Sequence, residues 1–339
     1  MAASGLRPGE FALIRRFFVP LAAGNPAALD LTDDAALLTP PEGRQIVLTT
    51  DTVVAGVHFP EGEAAGDVAR RLLRVNLSDL AAMGARPEGY LLNLALTPGT
   101  DEGWLSDFTA ALAADQARYG IALLGGDTVA MVGPMTLALT AVGSVPAGRA
   151  LRRRGARVGD EVHVSGTIGD GALGLRAVQG RLPAGTGPAQ REALAEAFRR
   201  PEPRLALGQA LAEQGIATAA IDISDGLLAD LGHICETSGV AAVVEAARVP
   251  LSPEGRAAVA ADPALLAEAI TGGDDYEILF TAPPEARGRI AALARTLDLP
   301  LTPVGRIEAG AGVRAVGADG SALAVGRAGF EHRWGATPR

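Results

Sequence analysis

Apolar residues follow two different spacings along this chain, and the alternation between them predicts a mixture of strands and helices. Short β-branched and apolar runs bounded by turn residues predict strands at 45–50, 53–56, 90–97, 121–124, 135–145, 161–165, 219–223, 240–245 and 276–281. Apolar positions three or four residues apart predict helices at 9–18, 66–83, 101–118, 170–179, 190–198, 204–214, 262–270 and 284–297, with a further helix ending near 237. Both halves of the chain combine the two kinds of element, so we expect an α+β fold made of two α/β domains.

The segment between Pro146 and Asp160 divides the chain into these halves. It is rich in Gly, Pro and Arg and poor in apolar residues, which is typical of a connection between domains. We therefore expect an N-terminal domain over 1–148 and a C-terminal domain over 149–339.

The composition changes this picture by excluding several classes of protein. Hydrophobic residues make up 48% of the chain and charged residues 20%, so the chain can bury a core and is not expected to be disordered. The formal net charge is −9 and no basic patch is visible, so we expect no binding to nucleic acid. No apolar run reaches the roughly 18 residues that span a bilayer, so we expect no membrane association. The single cysteine, Cys235, and the lack of an export signal fit a reducing compartment, and we expect a cytoplasmic protein.

Aspartates recur where the predicted strands and helices begin or end. We expect the first strand to break at Asp51, a strand to begin after the pair Asp33-Asp34, and the strand at 121–124 to end in Gly125-Gly-Asp-Thr128. The full set consists of Asp33, Asp34, Asp51, Asp79, Asp127, Asp222, Asp225, Asp274 and Asp275. Each of these residues alone is also explained as a helix cap or a turn residue. Most of them adjoin an apolar strand, however, so one edge of a sheet could gather them, and converging carboxylates that hold several Mg²⁺ ions suit a ligand rich in phosphate.

The remaining motifs indicate no other chemistry. Gly169–Gly174 fits the spacing GxGxxG, but no acidic residue ends a second strand about 20 residues later, which argues against a nicotinamide site. The chain contains no GxxxxGK[ST] sequence, so a P-loop is excluded. Cys235, His163 and His233 lack partners at metal-ligand spacing, and we interpret them as structural. The run Arg152–Arg154 is either a solvated stretch or an anion contact near the domain boundary.

Several short motifs between residues 9 and 307 resemble, in their order, those of one known family. They are Gly9-Glu-Phe, Asp33-Asp34-Ala-Ala-Leu-Leu, Thr50-Asp-Thr-Val-Val-Ala-Gly-Val-His-Phe, Val75-Asn-Leu-Ser-Asp-Leu-Ala-Ala-Met-Gly-Ala, Gly125-Gly-Asp-Thr, Gly148-Arg-Ala-Leu, Ile221-Asp-Ile-Ser-Asp-Gly-Leu, Gly272-Gly-Asp-Asp-Tyr-Glu and Val304-Gly-Arg-Ile. Together they resemble the thiamine-monophosphate kinases, within a superfamily of ATP-binding proteins similar to aminoimidazole-ribonucleotide synthetase. Two departures are visible: Asp30-Leu-Thr32 replaces the usual Gly-x-Gly before the paired acids, and Phe330, with Trp334 nearby, stands where the family commonly has Tyr.

The resemblance implies ATP-dependent phosphorylation of thiamine monophosphate to thiamine diphosphate, the last step of thiamine diphosphate biosynthesis. It also implies an N-terminal mixed sheet that forms a homodimer, a C-terminal α/β domain that completes the site, and ATP bound between the domains together with several Mg²⁺ ions. By position, it implies metal ligands at Asp34, Thr49, Thr50, Asp51, Asp79, Asp127, Asp222 and Asp225, ATP contacts at Tyr119, Gly126, Asp127, Arg153 and Ser224, and substrate contacts at His58, Asp274 and Phe330. We expect direct in-line transfer without a covalent nucleophile, because the acceptor is itself a nucleophilic phosphate monoester.

Alternatives remain open from the sequence. Selenophosphate synthetases share the superfamily but use Cys or selenocysteine near the N-terminus, whereas the cysteine of this chain is Cys235. A related amidine-forming synthetase or a hydrogenase-maturation protein would share the fold. A non-catalytic scaffold that only binds nucleotide is a different class, and ATP turnover that depends on an added acceptor would separate it from a kinase.

Overall fold

The computed structural model describes residues 10–323 and residue 329, and it contains two β-sheets flanked by helices. The α-helices are α1 (Glu10–Leu13), α2 (Val19–Ala22), α3 (Ala65–Ala82), α4 (Glu102–Tyr119), α5 (Asp170–Val178), α6 (Pro188–Arg199), α7 (Leu205–Gln214), α8 (Leu227–Ser238), α9 (Pro253–Ala261), α10 (Leu265–Thr271) and α11 (Arg287–Leu297). The strands are β1 (Arg44–Val54), β2 (Arg86–Leu96), β3 (Leu123–Ala130), β4 (Thr136–Pro146), β5 (Glu161–Ser165), β6 (Ala219–Asp222), β7 (Ala241–Glu245), β8 (Ile278–Ala282), β9 (Leu301–Glu308) and β10 (Gly312–Val316). This arrangement confirms the predicted α+β fold. Among the described helices, none combines the length and the apolar composition needed to cross a bilayer.

The N-terminal sheet has four strands in the order β1-β4-β2-β3. β4 pairs antiparallel with both β1 and β2, and β3 runs parallel to β2. Helix α3 packs against β1 and β4, and α4 packs against α3. Side chains on the opposite face include Leu48, Leu91 and Val129, which are 66%, 39% and 48% exposed. We call this second face, defined by these three residues, the open face.

The C-terminal sheet has six strands in the order β10-β7-β9-β5-β8-β6. Every neighbouring pair except β10 and β7 is antiparallel. Helix α8 packs against β6, β7 and β10, and its apolar residues Leu227 and Leu231 enter the core of this sheet. Because β6 ends at Asp222 and α8 begins at Leu227, the polar loop between them lies at the edge of the sheet.

Helix α3 lies between the two domains, which explains why most of its residues are buried, including polar ones such as Arg74 and Asn76. It contacts β1 and β4 on the N-terminal side, and α7 and β6 on the C-terminal side. Gly208 of α7 allows the close approach of these helices, because a Cβ atom there would lie 1.9 Å from the carbonyl oxygen of Ala81. The main apolar core therefore continues from Leu72 and Leu77 of α3 to Leu211 and Phe280 in the C-terminal half.

Strands β1 and β3 are longer than the sequence predicts. The expected break at Asp51 is wrong, because every residue from Arg44 to Val54 pairs with β4, and this pairing overrides the low strand preference of Asp. β3 likewise continues through Gly125-Gly-Asp-Thr128, paired with β2. The strand expected after Asp33 is absent: the segment is irregular, and the Leu37 N–H donates a 2.9 Å hydrogen bond to the carbonyl of Ala27.

The segment from 147 to 160 connects the two sheets without regular structure. The Leu151 N–H donates a 3.1 Å hydrogen bond to the carbonyl of Met83 in the N-terminal half. The carbonyl of Arg152, one residue later, accepts a 2.9 Å hydrogen bond from the Ala220 N–H in the C-terminal half. The division of domains between 148 and 149 falls in this segment and stays a prediction.

Candidate active site

A cavity of about 890 Å³ lies between the two domains, and we call it the interdomain cavity. β1 and α3 form its N-terminal wall, and the β6–α8 loop, α5, α10 and the segment 272–276 form its C-terminal wall. The expected site residues that line it are Thr50, Asp51, His58, Asp79, Asp222, Ser224, Asp225 and Asp274. Residues distant in the sequence and expected to bind metal, ATP and substrate therefore meet in one place.

Three carboxylates from both domains line one part of this cavity: Asp51, Asp79 and Asp222. Burial raises the pKa of Asp51 to about 6, and the negative charge of Asp79 adds to the effect. Burial also raises the pKa of Asp222, again with a contribution from the charge of Asp79. Because the three carboxylates repel one another and carry the oxygen ligands that Mg²⁺ prefers, the group has the electrostatics and the chemistry of a site for a hard cation.

Two hydroxyl groups hold these carboxylates in place. Thr49 Oγ1 donates a 2.6 Å hydrogen bond to Oδ2 of Asp79, and Ser78 Oγ donates one of 2.8 Å to Oδ2 of Asp222. Burial raises the pKa of Asp79, and the charge of Arg153 opposes that rise. Arg153 therefore acts on the acidic group from the segment between the domains.

Strand β1 presents its predicted ligands on two different faces. Successive side chains of a strand alternate, so Thr49 and Asp51 point to the α3 side and Thr50 points to the open face. Thr50 Oγ1 donates a 3.1 Å hydrogen bond to the carbonyl of Leu139 and accepts one of 3.1 Å from Thr140 Oγ1. The run Thr49-Thr50-Asp51 is therefore divided between two environments.

The loop between β6 and α8 depends on Asp230, a residue that the sequence analysis missed. Its Oδ2 accepts hydrogen bonds from the backbone N–H groups of Ser224, Asp225 and Gly226 at 3.1, 3.1 and 3.0 Å. Burial raises the pKa of Asp230 to about 7, and the negative charge of Asp225 adds to the rise. Its position four residues into the helix after the DxSDG loop is the only signal that the sequence offers. Asp230 thus shapes the loop that carries Ser224 and Asp225 into the cavity.

Asp274 lies at another part of the cavity wall, in a backbone conformation that is rare for aspartate. Its φ is +73°, and its N–H donates a 2.9 Å hydrogen bond to the carbonyl of Ser224. Arg71 of α3 forms an ion pair with its carboxylate, and the Tyr276 hydroxyl lies 3.3 Å from Oδ1. Arg71 was missed from the sequence, although an arginine among the apolar positions of α3 is a signal that could have found it.

His58 is fixed by a backbone contact beside the same cavity. Its Nδ1 accepts a 3.1 Å hydrogen bond from the Val54 N–H. A neutral imidazole that accepts at Nδ1 carries its proton on Nε2, so the other nitrogen is a donor. This arrangement suits contact with an anion.

Three of the other predicted acids lie in a second cavity of about 670 Å³, on the open face of the N-terminal sheet. Its lining includes Asp33, Asp34, Gly126 and Asp127, together with Leu91. The strand register aligns Asp51 with Gly126 across the four strands, and three interstrand spacings amount to about 14 Å. One sheet edge therefore does not gather all the carboxylates of a protomer, because β1 and β3 are opposite edge strands and Asp127 faces away from α3.

Three further residues have separate positions. Tyr119 ends α4 and donates a 3.1 Å hydrogen bond to Glu202 Oε2, and it lines neither of these two cavities. Asp275 accepts hydrogen bonds from the N–H groups of Gly169 and Gly171 at 2.8 and 2.9 Å, so it caps the start of α5. Phe330 lies outside the described residues, and its contact with substrate stays a prediction.

Family models cover most of the chain. The model described as AIR synthase related protein, N-terminal domain, matches residues 32–145. The model described as AIR synthase related protein, C-terminal domain, matches residues 157–317. Both domains therefore have the features of this superfamily.

Individual proteins are similar along nearly the whole chain. The thiamine-monophosphate kinase of Caulobacter vibrioides is 43% identical over 311 residues, which cover 91% of this chain and 86% of the relative. The crystal structure of thiamine-monophosphate kinase from Stenotrophomonas maltophilia is 46% identical with a TM-score of 0.82, and the match covers 93% of this chain and 98% of that one. The structure of AaThiL complexed with AMPPCP and TMP is 30% identical with a TM-score of 0.75, and the match covers 98% of this chain and 100% of that one. The chain therefore belongs to the thiamine-monophosphate kinase family.

Proposed function

We propose that the interdomain cavity is where this enzyme aligns the two phosphates of its reaction, the ATP-dependent phosphorylation of thiamine monophosphate to thiamine diphosphate. The observation that carries the proposal is the group formed by Asp51, Asp79 and Asp222, which joins carboxylates of both domains in one cavity. Bound cations stabilise the charged form of buried carboxylates that repel one another, and cations in turn attract phosphates.

The acidic group fits Mg²⁺ as the resident ion. Thr49, Asp51, Asp79 and Asp222 would hold it, with Asp225 beside them on the β6–α8 loop. Bound Mg²⁺ would neutralise the repulsion between the phosphates of ATP and of the acceptor. Asp34 and Asp127, which line the second cavity, remain proposed ligands. Thr50 also remains a proposed ligand; it lines the interdomain cavity although its hydroxyl contacts Leu139 and Thr140.

The protein residues would orient the reactants and would form no covalent bond with them. The acceptor phosphate is already an anionic nucleophile, so the reaction needs no general base. His58 supports this assignment, because it lines the cavity and its Nδ1 accepts a hydrogen bond from the Val54 N–H instead of a proton from the acceptor. Gly126, Tyr119, Arg153 and Ser224 would contact ATP, and Asp274 and Phe330 would contact the thiamine moiety.

A homodimer formed through the open face completes the proposal. Leu48, Leu91 and Val129 remain exposed there, and apolar side chains on one sheet face are typical of a surface that a partner covers. The second cavity lies on the same face, so Asp34 and Asp127 would lie at the interface. The cytoplasm, which supplies ATP and keeps the buried thiol of Cys235 reduced, is the compartment that we propose.

Product analysis tests the proposed function. Purified protein with ATP and excess Mg²⁺ is incubated with thiamine monophosphate or with thiamine, and the products are separated by chromatography. We expect thiamine diphosphate from the first acceptor and no phosphorylation of the second, because thiamine presents an alcohol that needs a general base. Comparable rates with both acceptors would assign a base role to His58 and contradict in-line transfer between phosphates, and ATP turnover without any acceptor would favour a different activity.

A further inference from the structure

Arg71 and Asp274 form an ion pair in the wall of the interdomain cavity, and the two residues come from different domains. Arg71 is carried by α3, and Asp274 belongs to the segment that connects α10 to β8. The Arg71 side chain is 6% exposed and that of Asp274 is 26% exposed. The pair therefore places a positive charge on the N-terminal wall of the cavity and a negative charge on its C-terminal wall.

The guanidinium group of Arg71 is fixed but only partly satisfied. Nη1 donates a 2.6 Å hydrogen bond to the carbonyl of Phe198, and the group lies 4.2 Å from the centre of the Phe198 ring. Nη2 donates to Oδ1 of Asp274. A guanidinium has five N–H donors, and the buried Nε has no acceptor among the described residues. Nη1 and Nη2 each carry a second N–H beyond these two contacts, and Arg71 lines the cavity, so a ligand oxygen there can complete the contacts of the guanidinium.

The carboxylate of Asp274 is also only partly used. Both Arg71 and the Tyr276 hydroxyl contact Oδ1, so neither of them engages Oδ2. The contact with Ser224 and the left-handed backbone fix the position from which this carboxylate faces the cavity. Asp274 can therefore stabilise a ligand cation without losing its contact with Arg71.

We propose that Arg71 and Asp274 together recognise the two charges of a zwitterionic acceptor: Arg71 contacts its phosphate and Asp274 contacts its cationic ring. The inference rests on the proposed function, in which thiamine monophosphate binds in this cavity. That molecule carries a phosphate and a thiazolium cation, so each end finds an opposite charge in the pair. A guanidinium binds phosphate with two parallel hydrogen bonds, which gives geometric selectivity as well as attraction. Arg71 thereby becomes a residue that determines specificity for the phosphorylated acceptor.

Two ligands that differ only in the phosphate separate this role from a merely structural one. The KM for thiamine monophosphate and the competitive inhibition constant of thiamine are measured for the wild type, Arg71→Met and Arg71→Lys. Arg70→Met serves as the matched control, because Arg70 is the neighbouring arginine of α3 and does not line the interdomain cavity. For Arg71→Met we expect the KM to rise by about tenfold or more, on the scale of one lost charge-assisted hydrogen bond, while the inhibition constant of thiamine stays within about twofold. Arg71→Lys keeps the charge but loses the planar fork, so its KM should lie between the two.

The contrary results are distinct. An equal loss of affinity for both ligands in Arg71→Met would show that Arg71 only holds Asp274 and does not contact phosphate. An unchanged KM in both Arg71 variants would remove Arg71 from recognition altogether. If Arg71→Met does not fold, as judged by its thermal unfolding, Arg71→Lys carries the test with the same two ligands. If the proposed function is wrong, the wild-type protein itself releases no ADP in response to thiamine monophosphate.

Discussion

Ser78 of α3 and Asp222 of β6 meet across the domain boundary, where Ser78 Oγ donates a 2.8 Å hydrogen bond to Asp222 Oδ2. Both residues are buried, and this hydrogen bond favours the charged form of Asp222 against the opposite effects of burial and of Asp79. Ser78→Ala should therefore raise the pKa of Asp222 further and weaken Mg²⁺ binding. We expect the Mg²⁺ concentration for half-maximal activity to rise by about tenfold, since a lost hydrogen bond to a charged group is equivalent to about 1.5 kcal/mol or more. Ser106→Ala on the exposed side of α4 is the control, and an unchanged Mg²⁺ dependence in Ser78→Ala would contradict the role of Asp222 as a ligand.

The acids of the interdomain cavity and those of the second cavity should both be required for turnover. Asp51→Asn in the interdomain cavity and Asp127→Asn on the open face each remove one charge and leave the shape of the side chain almost unchanged. We expect each to lower kcat by about 10² or more, on the scale for losing a group that stabilises charge in the transition state. The assay is ADP release at saturating ATP over a range of free Mg²⁺, with Asp107→Asn on the exposed side of α4 as the control. Full activity of either variant would remove that residue from the multi-metal site.

The open face should control the oligomeric state. Leu91 is 39% exposed in the middle of this face, so a carboxylate at that position would be buried without a partner in a dimer. We expect light scattering at micromolar concentration to give a dimer mass for the wild type and a monomer mass for Leu91→Glu. Val132→Glu is the matched control, because Val132 is 99% exposed in the turn between β3 and β4. A monomeric wild type, or a dimeric Leu91→Glu variant, would exclude this interface.

His163 should make the protein sensitive to acid. Burial lowers its pKa to about 4; the nearby Glu161 carboxylate opposes this shift, and the charges of Arg248 and Arg287 add to it. The folded-state pKa lies below the unfolded value of about 6.5, so the folded state resists protonation. Stability from this group is complete above pH 6.5 and decreases as the pH falls toward 4, by up to about 3 kcal/mol.

The substitution His163→Leu tests this dependence, because leucine has no proton to take up. Urea unfolding at pH 7 and at pH 4.5 gives the loss of stability for each protein. We expect a smaller loss of stability on acidification in the variant than in the wild type. The difference in stability between the two proteins at pH 7 measures the effect of the changed packing against Phe280. Equal losses in the two proteins would show that other groups cause the acid sensitivity.

Cys235 should be dispensable for the reaction. Burial raises the pKa of its thiol to about 11, so it is not a thiolate near neutral pH, and it lies on the buried side of α8 in the core of the C-terminal sheet. Cys235→Ala and Cys235→Ser should turn over at close to the wild-type rate, with Tm lowered slightly by the smaller or more polar side chain. Loss of turnover in a variant with an unchanged Tm would indicate that the thiol takes part in the reaction, as in the selenophosphate synthetases.

The amphipathic spacing of the helices was sufficient to predict most of the fold. Helix α3 was expected at 66–83 and spans Ala65–Ala82, because its long apolar pattern outweighs local turn preferences. The strand break expected at Asp51 was wrong because the local sequence did not decide the structure there. The strand continues there because of its partner β4, and the run Thr49-Thr50-Asp51 carries no information about that partner.

The candidate site was predictable in its residue types and less so in its geometry. The sequence identified Asp51, Asp79 and Asp222 as acids at the ends of elements, but the domain boundary that joins them is a tertiary feature. The sequence did not show that Asp127 lies on the other face of the sheet from these three acids. The face on which a strand residue lies depends on the register of pairing. Arg71 and Asp230 stand at positions that the sequence marks only weakly, and their partners, Asp274 and the backbone of the β6–α8 loop, are visible only in the folded structure.

The continuity of the main core through α3 constrains how the molecule can move. A hinge motion that separated the domains would expose Leu72, Leu77 and their partners Leu211 and Phe280 to water. At about 25 cal/mol for each Å² of apolar surface, exposing a few hundred Å² costs several kcal/mol in every cycle. Substrates can therefore reach the interdomain cavity and products can leave it through its open side, without a separation of the two domains.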